Sequence, residues 1–158
     1  MRFVLLTLLV GLLAAPAGAV TITVPDEELG ITAIQQAVDL AAPGDIVLIM
    51  SGTYDSVHSF ETPLGRRRAI VEISSDIFLL GAEGSDVEID HSEAEYGILV
   101  QNVSESAVIS NLTIVGGESR DKGLLDDGDG RFLAAGICCV DAASPTITDV
   151  SIEDGATG

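Results

Sequence analysis

Ser106 to Gly117 reads SAVISNLTIVGG and Ser144 to Gly155 reads SPTITDVSIEDG, one pattern written twice, 38 residues apart. Ile109, Leu112 and Ile114 match Ile147, Val150 and Ile152, and Asn111 matches Asp149 where the alternation of apolar and polar residues slips by one place. The segment before each copy repeats as well: Tyr96-Gly97-Ile98-Leu99-Val100 is echoed by Ala135-Gly136-Ile137-Cys138-Cys139 at an offset of 39. A fixed period of this size marks a repeat array, in which each unit buries its apolar face on the next. Asn or Asp fits the slip, because both tolerate left-handed backbone angles and can bond their own turn.

Working outward, short apolar runs of period two recur at residues 46–49, 70–73, 77–80, 87–89, 98–100, 108–114, 137–140 and 147–152, separated by Gly, Ser, Asn and Asp. Such runs read as strands. One segment differs. Ala33, Ile34, Ala37, Val38, Leu40 and Ala41 recur at helical steps, with Thr32 and Gln35 as a capping-box pair and Pro43-Gly44 as the stop. This pattern predicts one amphipathic helix over residues 33–42. The expectation is an all-β, right-handed parallel β-helix (a solenoid), begun by a cap over residues 20–45 and continued by coils over 46–158. Terminal repeats of arrays carry a covered outer face, and none is written before Gly158, so the chain reads as the first part of a longer one.

The run VPDEELGITAIQQAVDLAAPGDIVLIMSGTY from Val24 to Tyr54, followed by Leu79-Leu80-Gly81-Ala82 and Val87-Glu88-Ile89-Asp90, resembles the N-terminal cap and first coil of right-handed parallel β-helix proteins of the pectin-lyase-like superfamily. The resemblance implies that the helix lids one end of a strand stack. It also implies two chemistries: lyases that abstract a sugar-ring proton beside calcium and carboxylates, and esterases with paired Asp residues and an Arg. The opening TAIQQAVDLAA and GTY resemble pectinesterases, but the aspartate-bearing strands of that family correspond here to ISNLTIVGG and GICCVDAA.

The first residues bear on location. Arg2, the apolar run Phe3 to Ala15 and then Pro16-Ala17-Gly18-Ala19 form a secretory signal pattern, so residues 1–19 are expected to be removed and the protein exported, to the cell surface, the medium or a periplasm. A helix of that run is roughly 20 Å long, short of the ~30 Å hydrocarbon core of a membrane. The formal charge of -18 argues against nucleic acid, whose phosphates require a basic stripe. Cys138 and Cys139 are adjacent and so face opposite sides of a strand; Cys139, in phase with Ile137, is expected to be buried and Cys138 to point outward.

The candidates for chemistry are few. GESRDKGLLDDGDGRFLA interrupts the repeat between Gly117 and Ala134, and Asp126, Asp127 and Asp129 in it offer three hard carboxylate ligands for calcium on a glycine-rich turn, although the full calcium-loop pattern is incomplete. Arg66-Arg67-Arg68 is the one basic run; it is either a surface loop or a clamp for the carboxylates of an acidic glycan. Asp141 and Asp149 form a candidate carboxylate pair with no Arg assigned opposite them. His58 and His91 are isolated, and the sequons at Asn102 and Asn111 are better explained by bends than by glycans. With no Trp, four Phe and two Tyr, an aromatic platform for sugar rings is hard to build. The expected function is therefore an extracellular or cell-surface scaffold or adhesion module, with a polysaccharide or a surface component as partner. The alternatives are a polysaccharide lyase or carbohydrate esterase with active coils partly beyond residue 158, and a calcium-stabilised module.

Overall fold

Apolar alternation becomes strand wherever it is long enough. In the computed structural model, whose described residues are 18–116 and 135–153, the chain forms eleven strands and one short helix. They are β1 (Thr21–Val24), β2 (Ile46–Ile49), β3 (Gly52–Tyr54), β4 (His58–Thr62), β5 (Gly65–Ile73), β6 (Phe78–Gly81), β7 (Val87–Asp90), β8 (Tyr96–Gln101), β9 (Val108–Val115), β10 (Ala135–Val140) and β11 (Thr146–Glu153), with α1 (Ile34–Leu40) between β1 and β2.

The expected solenoid of uniform parallel coils is not what forms. The strands fall into two sheets: a seven-stranded parallel sheet running β1-β2-β6-β9-β7-β3, with β11 also on β9, and a four-stranded mixed sheet running β10-β8-β5-β4. Two local features break the uniform repeat. β4 and β5 form an antiparallel hairpin from His58↔Ala69 to Thr62↔Gly65, closed by a turn in which Gly65 takes φ 92, a conformation open to glycine and costly for side-chain-bearing residues. β9, in turn, is shared along the edge opposite β11 between two strands, its first half pairing β6 and its second half β7. The fold is thus a mostly-β pair of sheets, one parallel and one mixed.

Within the parallel sheet, like residues align. Val47 pairs Leu79, Leu79 pairs Ile109 and Ile109 pairs Ile147, while Tyr54, Ile89, Ile114 and Ile152 make a second row. Asn111 and Asp149 both adopt left-handed angles, φ 58 and φ 52, so the bend recurs in β9 and β11. Asn111 fixes its bend by donating to the Gly81 and Ala82 carbonyls at 2.9 and 3.0 Å.

The main core lies where the two sheets meet. Val47, Ile49, Leu79, Ile89, Ile109 and Ile114 of the parallel sheet pack with Val71, Ile73, Ile98 and Val100 of the mixed one, all essentially inaccessible to water. Each such aliphatic side chain stabilises the fold by about 1.5–3 kcal/mol relative to exposure. Ile34 and Ala37 of α1 join this core, and the helix contacts β5, β1 and β2, closing one end.

The helix is shorter than the sequence pattern, and its cap differs. Gln36, not Gln35, closes the N-terminus, its Oε1 accepting from the backbone N–H groups of Thr32 and Ala33 at 2.8 and 3.0 Å. Gln35 instead ties the helix to β5, accepting from the Glu72 N–H at 2.7 Å and donating to Asp39.

Candidate functional site

Ionisable side chains gather on the face of the mixed sheet that points away from the main core. Ala69, Tyr96 and Leu99 form a second small core there, with Phe60, Cys138 and Val140 packed against it. Register brings them together, because Ala69 pairs Tyr96 while Glu72, Leu99 and Cys138 lie side by side on β5, β8 and β10. Arg67 and Glu95 border this patch. Their side chains are 13% and 12% exposed, and the guanidinium lies 3.8 Å from the carboxylate. The other carboxylate oxygen of Glu95 accepts from the Arg68 N–H at 2.6 Å, and the Glu95 N–H donates to the Arg68 carbonyl.

Electrostatics hold this cluster in its unreactive form. Burial, reinforced by Cys138, pushes the Tyr96 hydroxyl up to about 12. Burial also pushes up the Cys138 thiol, against the opposing effect of its hydrogen bond with Tyr96. Both groups therefore stay protonated at neutral pH, and a neutral thiol is a poor nucleophile. Glu95 compensates the charge of Arg67. The arrangement can fix strand positions; it does not generate a nucleophile or a base.

A neighbouring network has the same character. Gln101 donates to Glu72 and to the Glu61 carbonyl, linking β8 to β5 and β4. Elsewhere carboxylates close turns. Asp45 accepts from the N–H groups of Val20 and Ala42 at 2.8 and 2.9 Å, and these bonds hold its acidity below the usual carboxylate range. Asp76 is lowered by Ser104, and Asp90 chiefly by the Ser92 hydroxyl.

Clefts lined by described residues include the following two. One, of about 260 Å³, is bordered by Pro25, Thr32, Thr53, Tyr54, Asp55 and Ile70. Its Tyr54 hydroxyl lies 3.0 and 3.1 Å from the Met50 and Val24 carbonyls, an anchor between β3 and the end of β1. The other, of about 120 Å³, is bordered by Ser85, Asp86, Asn111, Thr113, Asp149 and Ser151. Both are smaller than the ~300 Å³ at which small-molecule pockets begin.

The residues singled out in the sequence are scattered. Asp126, Asp127 and Asp129 lie outside the described residues. Among the described residues, no group of three or more His, Cys, Asp or Glu side chains is placed to hold a metal ion. Of the three arginines, Arg67 meets Glu95, exposed Arg66 is 3.9 Å from exposed Glu61, and Arg68 is exposed. Asp149 borders the smaller cleft with Asp86, whereas Asp141 sits in the turn after β10 at φ 53 and is not part of that cleft. His91 is 1% exposed, and burial lowers its proton affinity. The burial of the cysteines is the reverse of that expected, Cys139 being exposed and Cys138 half-buried, although Cys138 does lie on the face away from the main core. Cys139 aligns with buried Val100, but among the described residues β10 has a strand partner only on the β8 side.

Glu95, Tyr96, Glu72 and Gln101 were not singled out by sequence. Their signal was weak, since Tyr96 aligns with Ala135 in the repeat and not with Cys138, so the Tyr96–Cys138 contact crosses registers. Among the described residues, no helix is long and apolar enough to cross a membrane. No protein-family model matches the chain, and searches of curated proteins and of solved structures return no match.

Proposed function

We propose that this protein is a secreted, non-catalytic scaffold or adhesion module that acts at an extracellular or cell surface and takes a polysaccharide or surface component as partner. One observation carries the reading: the best-defined ionisable groups are engaged in holding backbone together. Asp45 and Asp90 close turns, Asp76 ties the segment before β6 to Ser104, Glu95 clasps Arg67 and the Arg68 N–H, and burial keeps Tyr96 and Cys138 protonated. Catalytic groups have the opposite signature, with free lone pairs and acidity tuned toward the working pH. The sequence pattern of residues 1–19 supports export, and the acidic surface supports solubility outside the cell.

The test is a panel of pectic and related acidic polysaccharides incubated with the purified protein, with and without calcium. The expected result is release of neither unsaturated oligosaccharides nor methanol above the buffer control. Release of either, abolished by heat denaturation, overturns the reading in favour of a lyase or an esterase.

A further inference from the structure

The two sequons, Asn102-Val103-Ser104 and Asn111-Leu112-Thr113, both place their asparagine at a left-handed bend, with φ 48 and φ 58. The side-chain amides differ. The Asn111 nitrogen donates to the Gly81 and Ala82 carbonyls, and the residue is only partly exposed. Asn102, the first residue after β8, is exposed, and its amide makes no hydrogen bond among the described residues. The bend itself does not require that amide. Val140 pairs Gln101, and the next residue, Asp141, takes the same left-handed angle at φ 53 with a carboxylate in place of the amide. At Asn102 the nitrogen is therefore spare.

Described neighbours hold this corner from both flanks. On one, Ser104 binds Asp76 through its N–H and its hydroxyl; on the other, the Ser144 N–H donates to the Val103 carbonyl at 3.1 Å. Val103, 4% exposed, packs in the main core between them. Asn102 remains open to solvent beside these anchors. A sequon on a surface turn of an exported chain suits an N-linked glycan, which is bulky and hydrated. We infer that Asn102 is an N-glycan attachment site of the mature protein and that Asn111 is not. The donor class is an oligosaccharide carried on a lipid phosphate. The Asn102 nitrogen bonds to the anomeric carbon as the bond from that carbon to the phosphate oxygen breaks; the amide gives up one proton, and the lipid phosphate leaves with the bonding electron pair. The sequon hydroxyl is free only before Ser104 docks on Asp76, so transfer belongs to the chain before it folds, and folding then leaves the sugar outside. This inference rests on the export reading and assigns a modification to the exported chain.

The test is peptide mapping of the full chain purified from the organism that encodes it. Cleavage after glutamate separates the sequons into peptides 96–105 and 106–118, and fragmentation that keeps the sugar on its residue locates a glycan. The expected result is a sugar on Asn102 in peptide 96–105, at an occupancy roughly tenfold or more above that of peptide 106–118. Asn102→Asp keeps a residue that tolerates the left-handed angle, so this variant should lose the modification and retain its circular dichroism spectrum. An unmodified peptide 96–105, a glycan on Asn111 at equal occupancy, or a sugar that persists on that peptide in the folded Asn102→Asp variant overturns the inference. The N-terminus of the same sample tells which reading has failed. A chain that begins at Val20 with Asn102 bare removes the glycan site alone, whereas a bare Asn102 with Met1 retained removes export as well.

Discussion

Asp76, in the segment between β5 and β6, accepts hydrogen bonds from both the N–H and the hydroxyl of Ser104, 28 residues further along, each at 2.7 Å. Such bonds favour the ionised carboxylate, so its folded acidity is stronger than in the unfolded chain. The stabilisation is complete above the unfolded value of about 3.9 and is lost as pH falls through the lower folded value. Asp76→Asn should therefore melt at a lower temperature than wild type at pH 7, and the gap should shrink on acidification through and below pH 3.9. A gap that stays constant to pH 2 would show that the carboxylate charge is not what Ser104 recognises.

His91 shifts in the same direction for a different reason, burial rather than hydrogen bonding to the charged form. It is buried, and its folded affinity for a proton is below the ordinary histidine value of about 6.5. Below pH 6.5 the unfolded chain takes up the proton first, so stability declines as pH falls from 6.5 toward the folded value. Urea midpoints at pH 7.5 and 5.5 should show this loss in wild type, and His91→Gln should reduce the difference. An equal loss in the variant would assign it to other groups.

The Ile109 and Ile147 pair gives a packing test. Ile109→Ala deletes buried methyl groups and should cost about 3–4 kcal/mol, while the half-exposed Ile147→Ala should cost under about 1 kcal/mol. Denaturant unfolding of both variants measures the ratio. Similar costs would mean that Ile147 is covered in solution.

Thiol labelling distinguishes the adjacent cysteines. Cys139 is exposed, and Cys138 is half-buried and bonded to Tyr96. In the native protein at pH 8, an aromatic disulfide reagent should titrate one thiol at least tenfold faster than the other, and Cys139→Ser should remove the fast phase. If Cys138→Ser removes it instead, the assignment of the two faces is inverted.

Two glycines should respond differently to a methyl group. At Gly81 it would overlap the Asn111 carbonyl, so Gly81→Ala must move backbone and should cost about 3 kcal/mol or more. At Gly65 the space is open and only the positive φ penalises alanine, by about 1–2 kcal/mol. Thermal melts of the two variants should rank in that order.

What could be read in the sequence was what side-chain period alone controls. Strands 46–49, 87–89 and 147–152, the apolar face of α1 and the left-handed bends at Asn111 and Asp149 all follow from local pattern. The hairpin was missed because β4 reads HSFET, in which Phe60 is the one strongly apolar residue, and because Arg66 to Arg68 look like a loop. The turn through Pro63, Leu64 and Gly65 was its one local signal. That hairpin makes one sheet mixed and so decides the fold class. The cysteines were misassigned for another reason: alternation fixes the face a residue points to, but whether that face is covered depends on the neighbouring strand. The Arg67, Glu95, Tyr96 and Cys138 cluster draws on three strands and the segment before β8, and nothing in their spacing along the chain announces it.

The Asn111 amide has a consequence beyond the bend it secures. Its nitrogen is the atom to which a glycosyltransferase would attach an oligosaccharide in the Asn111-Leu112-Thr113 sequon, yet it is committed to the Gly81 and Ala82 carbonyls. Sugar transfer and strand docking compete for one atom. A chain that folds first remains unmodified there, and a chain modified first keeps a single amide hydrogen and so loses one of the two bonds that clasp β9 to the turn after β6.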